Sequence, residues 1–208
     1  MDRNKDLDKV DFASLQAHID SLDTQELGMV IGIYLGREQV YGFCDGYANL
    51  EYDHKLSNQS VFHLASVSKQ FTAYCIYLLE ERKILDRSDK LIDYLTDMPE
   101  AFGQVSIEDL IYHTSGIADY LTILDWGDRS CDEYFNIREI MDIICKSKLQ
   151  FEPNHHFQYS NSNYFLLGQV IEKITGQTLG AFARDHIFTP LKMSSTFYRE
   201  EGYSLVKN

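Results

Sequence analysis

Two short stretches carry residue types that can do covalent chemistry. Ser66-Val67-Ser68-Lys69 places a hydroxyl and an amine three residues apart, where an apolar run begins. On a helix, residues i and i+3 share a face, so the Lys69 amine would lie beside the Ser66 hydroxyl. A serine alcohol is a weak nucleophile at neutral pH and needs a neighbouring base. A lysine can be that base when burial lowers its pKa. A helix N-terminus favours the developing alkoxide, and the Ser66 N–H is a candidate oxyanion donor. The bland alternative is that Ser66 only caps a helix. The second stretch is Tyr159-Ser160-Asn161. Beside an ammonium, a phenol can relay protons or act as a general base. The asparagine amide can hold the lysine amine and a substrate carbonyl together. Here the alternative is a tyrosine packed on a loop, with Asn161 or Ser162 capping the next helix.

The elements that must position these groups follow from periodicity. Phe12, Leu15, Ile19 and Leu22 form a helical stripe, predicting a first helix over about 9–22. Two β-prone runs, 28–36 and 40–44, flank the polar Arg37-Glu38-Gln39 and predict an antiparallel hairpin, followed by a loop through Asn49, Asp53 and Asn58. Residues 66–83 read as a buried helix with a charged end, Glu80-Glu81-Arg82-Lys83. Ser106-Ile107-Glu108-Asp109 resembles a capping box, opening a short helix that ends before His113. Further helices are expected over 136–146, over 162–175 with Gly176 as the stop, and over 178–187 before Pro190. The order is helix, hairpin, then mainly helix: an α+β pattern. A hairpin alone is marginally stable and leaves strand edges open.

The chain has 208 residues and a net charge of −13. With 44% hydrophobic and 25% charged residues, the composition is that of a globular chain with a real core. The acidity argues against nucleic acid as a partner and against an anionic membrane surface. No apolar run approaches the roughly 18 residues of a membrane span. The polar start, Met1-Asp2-Arg3-Asn4-Lys5-Asp6, predicts a cytoplasmic protein as given, or a periplasmic or secreted one if a signal has been removed. No repeat or linker divides the chain, so a single domain over 1–208 is expected. The four cysteines form no CxxC pair and read as free thiols. His155-His156 is a weak half of a metal site. Glu80-Glu81 and Asp132-Glu133 read as solvated faces, and His113 as a structural residue at a helix end.

Five stretches occur in an order that resembles the serine β-lactamase and penicillin-binding-protein superfamily, in the branch of class C β-lactamases, D-alanyl-D-alanine carboxypeptidases and related esterases. They are Phe62 to Ala73, Ser106 to Ile117, Phe157 to Gly168, Ile174-Thr175-Gly176, and Pro190-Leu191-Lys192-Met193 with Thr196. The likeness covers roughly residues 25–200. It implies a β-lactamase/transpeptidase-like fold: an antiparallel sheet flanked by helices, plus a mainly helical region, with the site between them. It implies that Ser66 attacks a carbonyl to give an acyl-enzyme, that Lys69 assists deprotonation and Tyr159 shuttles protons, and that Asn161 positions substrate and lysine. Tyr120 would border the pocket from a loop and contact substrate. The small-molecule substrates implied are β-lactams, D-Ala-D-Ala peptides or small esters and amides, with no metal or organic cofactor.

The sequence departs from the family pattern at three places. Pro153-Asn154 stands where the family usually has Pro-Gly, and Lys192 where it often has a small residue. The family's third motif, K-T-G or H-x-G on a later strand, has no counterpart after Tyr159. The sheet strands that would complete the oxyanion hole are thus expected to be absent. This keeps open an alternative: a catalytically impaired homologue that binds a partner or self-associates as a homo-oligomer through open sheet edges.

Overall fold

A computed structural model of the chain describes residues 12–22, 28–125 and 135–199. They group into two compact units that meet in sequence between Phe62 and His63. Cys131 and Asp132-Glu133 lie outside the described residues, as do the first residues of the expected opening helix.

In the first unit, helix α1 (Ala13–Asp20) precedes strands β1 (Met29–Leu35) and β2 (Glu38–Asp45). The strands pair antiparallel from Met29↔Asp45 to Leu35↔Glu38, with an irregularity between Ile33 and Tyr34. The turn is the two residues Gly36-Arg37, so Glu38 and Gln39 belong to the ladder rather than the turn. Met29, Ile31 and Ile33 are half-buried while Val30, Gly32 and Tyr34 are exposed, as alternation along a strand requires. Phe12 stacks on Tyr41 at 5.2 Å and the Tyr41 hydroxyl donates to Gln16 Oε1 at 2.7 Å, seating α1 on the hairpin. The segment expected as a loop holds a second, smaller hairpin, β3 (Tyr47–Asn49) and β4 (His54–Lys55). Its turn is closed by Asn49, whose Oδ1 accepts from the Tyr52 N–H at 2.9 Å.

The second unit is helical. Its elements are α2 (Lys69–Glu81), α3 (Leu91–Tyr94), α4 (Ile107–Ile111), α5 (Tyr120–Asp125), α6 (Ile137–Lys146), α7 (Asn161–Thr175) and α8 (Leu179–Ala183). Helix α7 is the centre: α2, α4 and α8 all pack on it. Its Leu166, Leu167, Val170 and Ile171 are fully buried, against Ile76 and Leu79 of α2, Ile107 and Leu110 of α4, and Phe182 of α8. Burying one such side chain stabilises by roughly 1.5–3 kcal/mol.

The predicted signals set the ends of these helices. Ser106 Oγ accepts from the Asp109 N–H at 3.1 Å and Asp109 Oδ2 accepts from the Ser106 N–H at 2.9 Å, so the capping box forms with Asp in place of Glu. Gly176 ends α7 at φ +68°, a left-handed conformation that costs glycine nothing. The predicted helix over 178–187 is α8 followed by one wider π turn, Arg184–Phe188. Glu80 is not a free solvated charge: it pairs with Arg87 at 2.7 Å. The architecture is α+β, an antiparallel two-stranded sheet with a mainly helical region. No helix among the described residues is long and apolar enough to cross a membrane.

Candidate active site

Ser66 does not sit in the regular part of the long helix. It lies in a 3-10 turn, Ala65–Ser68, that leads into α2, and Lys69 is the first residue of α2. Ala65, immediately before the serine, has φ +46°, a region that non-glycine residues rarely enter. The turn is braced from within and from afar. Ser68 Oγ donates to the Ala65 carbonyl at 2.6 Å, and Tyr198 Oη donates to the Ser68 carbonyl at 3.0 Å while bonding Thr72 Oγ1 at 2.8 Å. Ser66 is therefore not a helix cap. Its side chain is exposed, and its N–H lies in a first turn, where N–H groups have no intrahelical acceptor.

Tyr159 arrives on the segment before α7. That segment is stitched to the stretch after α4: the Gln158, Asn154 and Gln150 N–H groups donate to the carbonyls of His113, Thr114 and Gly116 at 2.9, 2.8 and 2.8 Å. Gly116 is required here, because a Cβ would stand 2.2 Å from the Phe151 carbonyl oxygen. Asn154 and Lys192 both adopt left-handed backbone, at φ +66° and +58°. Two of the three departures from the family pattern thus fall where glycine would be relaxed, and Asn154 is the less strained because asparagine tolerates that region.

Beneath Tyr159 lies a buried polar layer. Ser115 Oγ donates to Asn163 Oδ1 at 2.7 Å, and Ser162 Oγ donates to the Ala118 carbonyl at 2.6 Å. His113 Nδ1 accepts from the Ser160 N–H at 3.2 Å, which leaves the imidazole proton on Nε2. The His113 ring lies 4.6 Å from that of Tyr159 and 5.3 Å from that of Tyr164. Burial lowers the His113 pKa, the Lys69 charge lowers it further, and Asp119 and the Ser160 N–H only partly oppose this. Ser160 Oγ is buried with no hydrogen-bond partner among the described residues.

These supports bring four of the five predicted residues together. Lys69 Nζ donates to Ser66 Oγ at 3.1 Å and to Asn161 Oδ1 at 2.8 Å. Tyr159 Oη lies 2.6 Å from Ser66 Oγ and 3.3 Å from Asn161 Oδ1. Burial alone would raise the Tyr159 phenol, but the Lys69 ammonium and the Ser66 hydroxyl outweigh it and hold the phenol below its ordinary value. Asn161 does not cap α7; its side chain turns to the lysine. Tyr120 is not in a loop. It is the first residue of α5, its ring packs on Phe165 at 6.1 Å beside the core, and burial pushes its phenol up.

Its neighbour Asp119, which the sequence pattern did not single out, is the residue that reaches the group, accepting from Asn161 Nδ2 at 2.8 Å. A short acidic residue before a helix is a cap signal, but nothing in the sequence marks its contact 42 residues away. His155 faces Glu152 at 3.7 Å and His156 lies edge-on to Phe151, so the two imidazoles do not converge. No cluster of metal-ligating side chains occurs among the described residues.

The signature of the Beta-lactamase family matches residues 15–203. The chain belongs to that family. Penicillin-binding protein 4* of Bacillus subtilis is 37% identical over 165 residues, which are 77% of this chain and 36% of that protein. The D-amino acid amidase of Ochrobactrum anthropi SV3 superposes with a TM-score of 0.74 at 26% identity, covering 91% of this chain and 51% of that one. An octameric penicillin-binding protein homologue from Pyrococcus abyssi superposes at 0.77 with 22% identity, covering 92% of this chain and 45% of that one, which shows a shared fold. The chain thus spans about a third of the length of the first curated relatives it matches, and about half of the solved chains.

Proposed function

We propose that this chain carries the nucleophilic centre of a serine hydrolase that acts through an acyl-enzyme at Ser66. The supporting observation is the closed contact of Ser66 Oγ with both Lys69 Nζ at 3.1 Å and Tyr159 Oη at 2.6 Å. In this reading the Ser66 proton passes to the neutral Lys69 amine or to a Tyr159 phenolate as Oγ adds to the substrate carbonyl. The Ser66 N–H faces the resulting oxyanion. Collapse expels the amine or alcohol, which takes its proton back through Tyr159. Water then adds to the acyl-serine, giving up a proton to the same pair; the acyl–Oγ bond breaks, Ser66 Oγ takes that proton back, and the acid leaves. The substrate class is β-lactams, D-Ala-D-Ala peptides, or small esters and amides, in keeping with relatives named for penicillin binding and for amidase action on D-amino acids.

The test is incubation with a fluorescent penicillin and with a chromogenic ester, beside Ser66→Ala. A covalent adduct or turnover that vanishes in the variant is expected. Equal signal from both proteins, or none from either, refutes the reading.

A second reading is a self-associating module. The β1–β2 sheet has two strands among the described residues, each with one edge unpaired there, and one structural relative is described as octameric. Light scattering decides it: a stable monomer across concentration rejects edge-driven assembly.

A further inference from the structure

Resting on the nucleophile reading above, we propose that Asp119 is a positioning residue: its carboxylate holds the Asn161 amide in the orientation that leaves the Lys69 lone pair free for Ser66. A carboxamide has an accepting oxygen at one end and a donating NH2 at the other, and exchanging them scarcely alters its shape. Asn161 lies between two groups that each admit one end. Toward Lys69 it presents Oδ1, accepting from Nζ at 2.8 Å, and toward Asp119 it presents Nδ2, donating to Oδ2 at 2.8 Å.

While Lys69 is an ammonium it can only donate, so it selects the amide oxygen itself. To take the Ser66 proton it must be neutral, and a neutral amine can accept. At that moment the lysine stops discriminating. A turned amide would donate Nδ2–H into the amine lone pair and occupy the base. An ionised carboxylate cannot donate in any state, so Asp119 keeps the selection when Lys69 loses it.

Asp119 is itself fixed. Its Oδ1 accepts from the Leu121 N–H at 3.0 Å at the start of α5, and its carbonyl accepts from the Ile123 N–H at 3.1 Å. The segment is tied to α7 on either side, with the Tyr120 N–H donating to Ser162 Oγ at 3.0 Å and that hydroxyl donating to the Ala118 carbonyl at 2.6 Å. One carboxylate oxygen caps a helix and the other orients the amide.

Asp119→Asn separates the two jobs. It keeps an acceptor for the Leu121 N–H but offers Asn161 an NH2, so the Asn161 amide turns. Ser66 acylation by a fluorescent penicillin or a chromogenic ester is expected to slow about 100-fold, as small misplacements at a reacting group do, with little change in melting temperature. Adding Asn161→Asp reverses the polarity of the bond and is expected to recover at least about tenfold of that loss. The double variant is assayed from pH 7 to 10, because the relocated charge lies nearer Lys69 and holds its proton more tightly. If Asp119→Asn does not fold, Asp119→Ser keeps a capping hydroxyl, is expected to be as slow, and gains nothing from Asn161→Asp. Acylation within twofold of wild type in the single variant, or a double variant no faster than the single one, overturns the proposal. If wild-type protein shows no Ser66-dependent acylation, the nucleophile reading fails on its own. Asp119 is then judged by the NMR resonances of the Asn161 side-chain amide. A shift of its Nδ2 protons in Asp119→Asn, reversed toward wild type in Asp119→Ser bearing added acetate, supports the orienting role; unmoved resonances overturn it.

Discussion

The two units of this molecule solve the problem of order differently. Among the described residues before His63, Ile19 is the only buried large apolar side chain, at 2% exposure, and the strands β1 and β2 hold only half-buried and exposed positions. After His63, α7 alone has four fully buried aliphatic residues, and a sealed polar layer of Ser115, Ser162 and Asn163 lies next to them. Among the described residues, the hairpin unit is held by backbone ladders with a few side-chain contacts, such as the Phe12–Tyr41 stack and the Tyr41–Gln16 hydrogen bond. The helical unit is held by a buried apolar core, and it is there that Ser66, Lys69, Tyr159 and Asn161 are joined by hydrogen bonds. A site that needs a serine, a lysine and a phenol in mutual contact has to be built where side chains cannot move, because order in the backbone alone does not fix a rotamer.

The sharpest way to break this comparison is by truncating apolar side chains. Leu166→Ala is expected to cost about 2–5 kcal/mol in denaturant unfolding. Val30→Ala, at a 37% exposed strand position, should cost under about 1 kcal/mol. Equal costs would mean the hairpin unit is packed as tightly as the helical one. Next in size, Ser106→Ala removes the hydroxyl that accepts the Asp109 N–H and should cost about 1–2 kcal/mol; a melting curve that does not move would show that the box is dispensable.

Smaller gains are expected where strain is released. Lys192→Gly should stabilise by about 0.5–1 kcal/mol, since the left-handed penalty it relieves exceeds the entropy glycine adds to the unfolded chain. A loss of stability would show that the Lys192 side chain contributes more than its backbone costs.

Two titrations sharpen the site itself. His113 has a lowered pKa in the fold, so its neutral form is favoured there. Its contribution is complete above its ordinary value of about 6.5 and is lost as pH falls from there through the folded value. The melting temperature should therefore drop between pH 7 and 5, and drop less steeply in His113→Gln. Tyr159 gives the smallest signal: its ultraviolet titration midpoint, taken as wild type minus Tyr159→Phe, should lie below about 10 and rise in Lys69→Met. A midpoint unmoved by the lysine change would exclude the ammonium as the cause.

What the sequence made legible follows the range of the interactions involved. The Ser66–Lys69 relation is one helical turn, and the capping box spans three residues, so both could be read directly. Tyr159 and Asn161 could be singled out by residue type, but their relation to Ser66 and Lys69, about 90 residues away, came from the family likeness, which also marked Asn154 and Lys192 as departures. Asp119 was not legible. Its link to Asn161 depends on the loop after α4 folding back on the N-terminus of α7, and an aspartate before a helix has an ordinary explanation as a cap. For Tyr120 the sequence suggested a loop position, and did not show that the residue begins α5 with its ring packed on Phe165. The second hairpin was hidden because Asn49 and Asp53 are turn formers that read equally well as open loop.

The hydrogen bond from Tyr198 to the Ser68 carbonyl joins residues 130 apart in sequence. A ribosome adds roughly 5–20 residues per second, so the turn that carries Ser66 is made on the order of 10 s before this brace exists. In the interval, the turn has its local bond from Ser68 Oγ to the Ala65 carbonyl and, once residue 159 is added, the contact of Ser66 with Tyr159, but not this brace. Ser66 is thus synthesised well before the last of the groups that brace its turn.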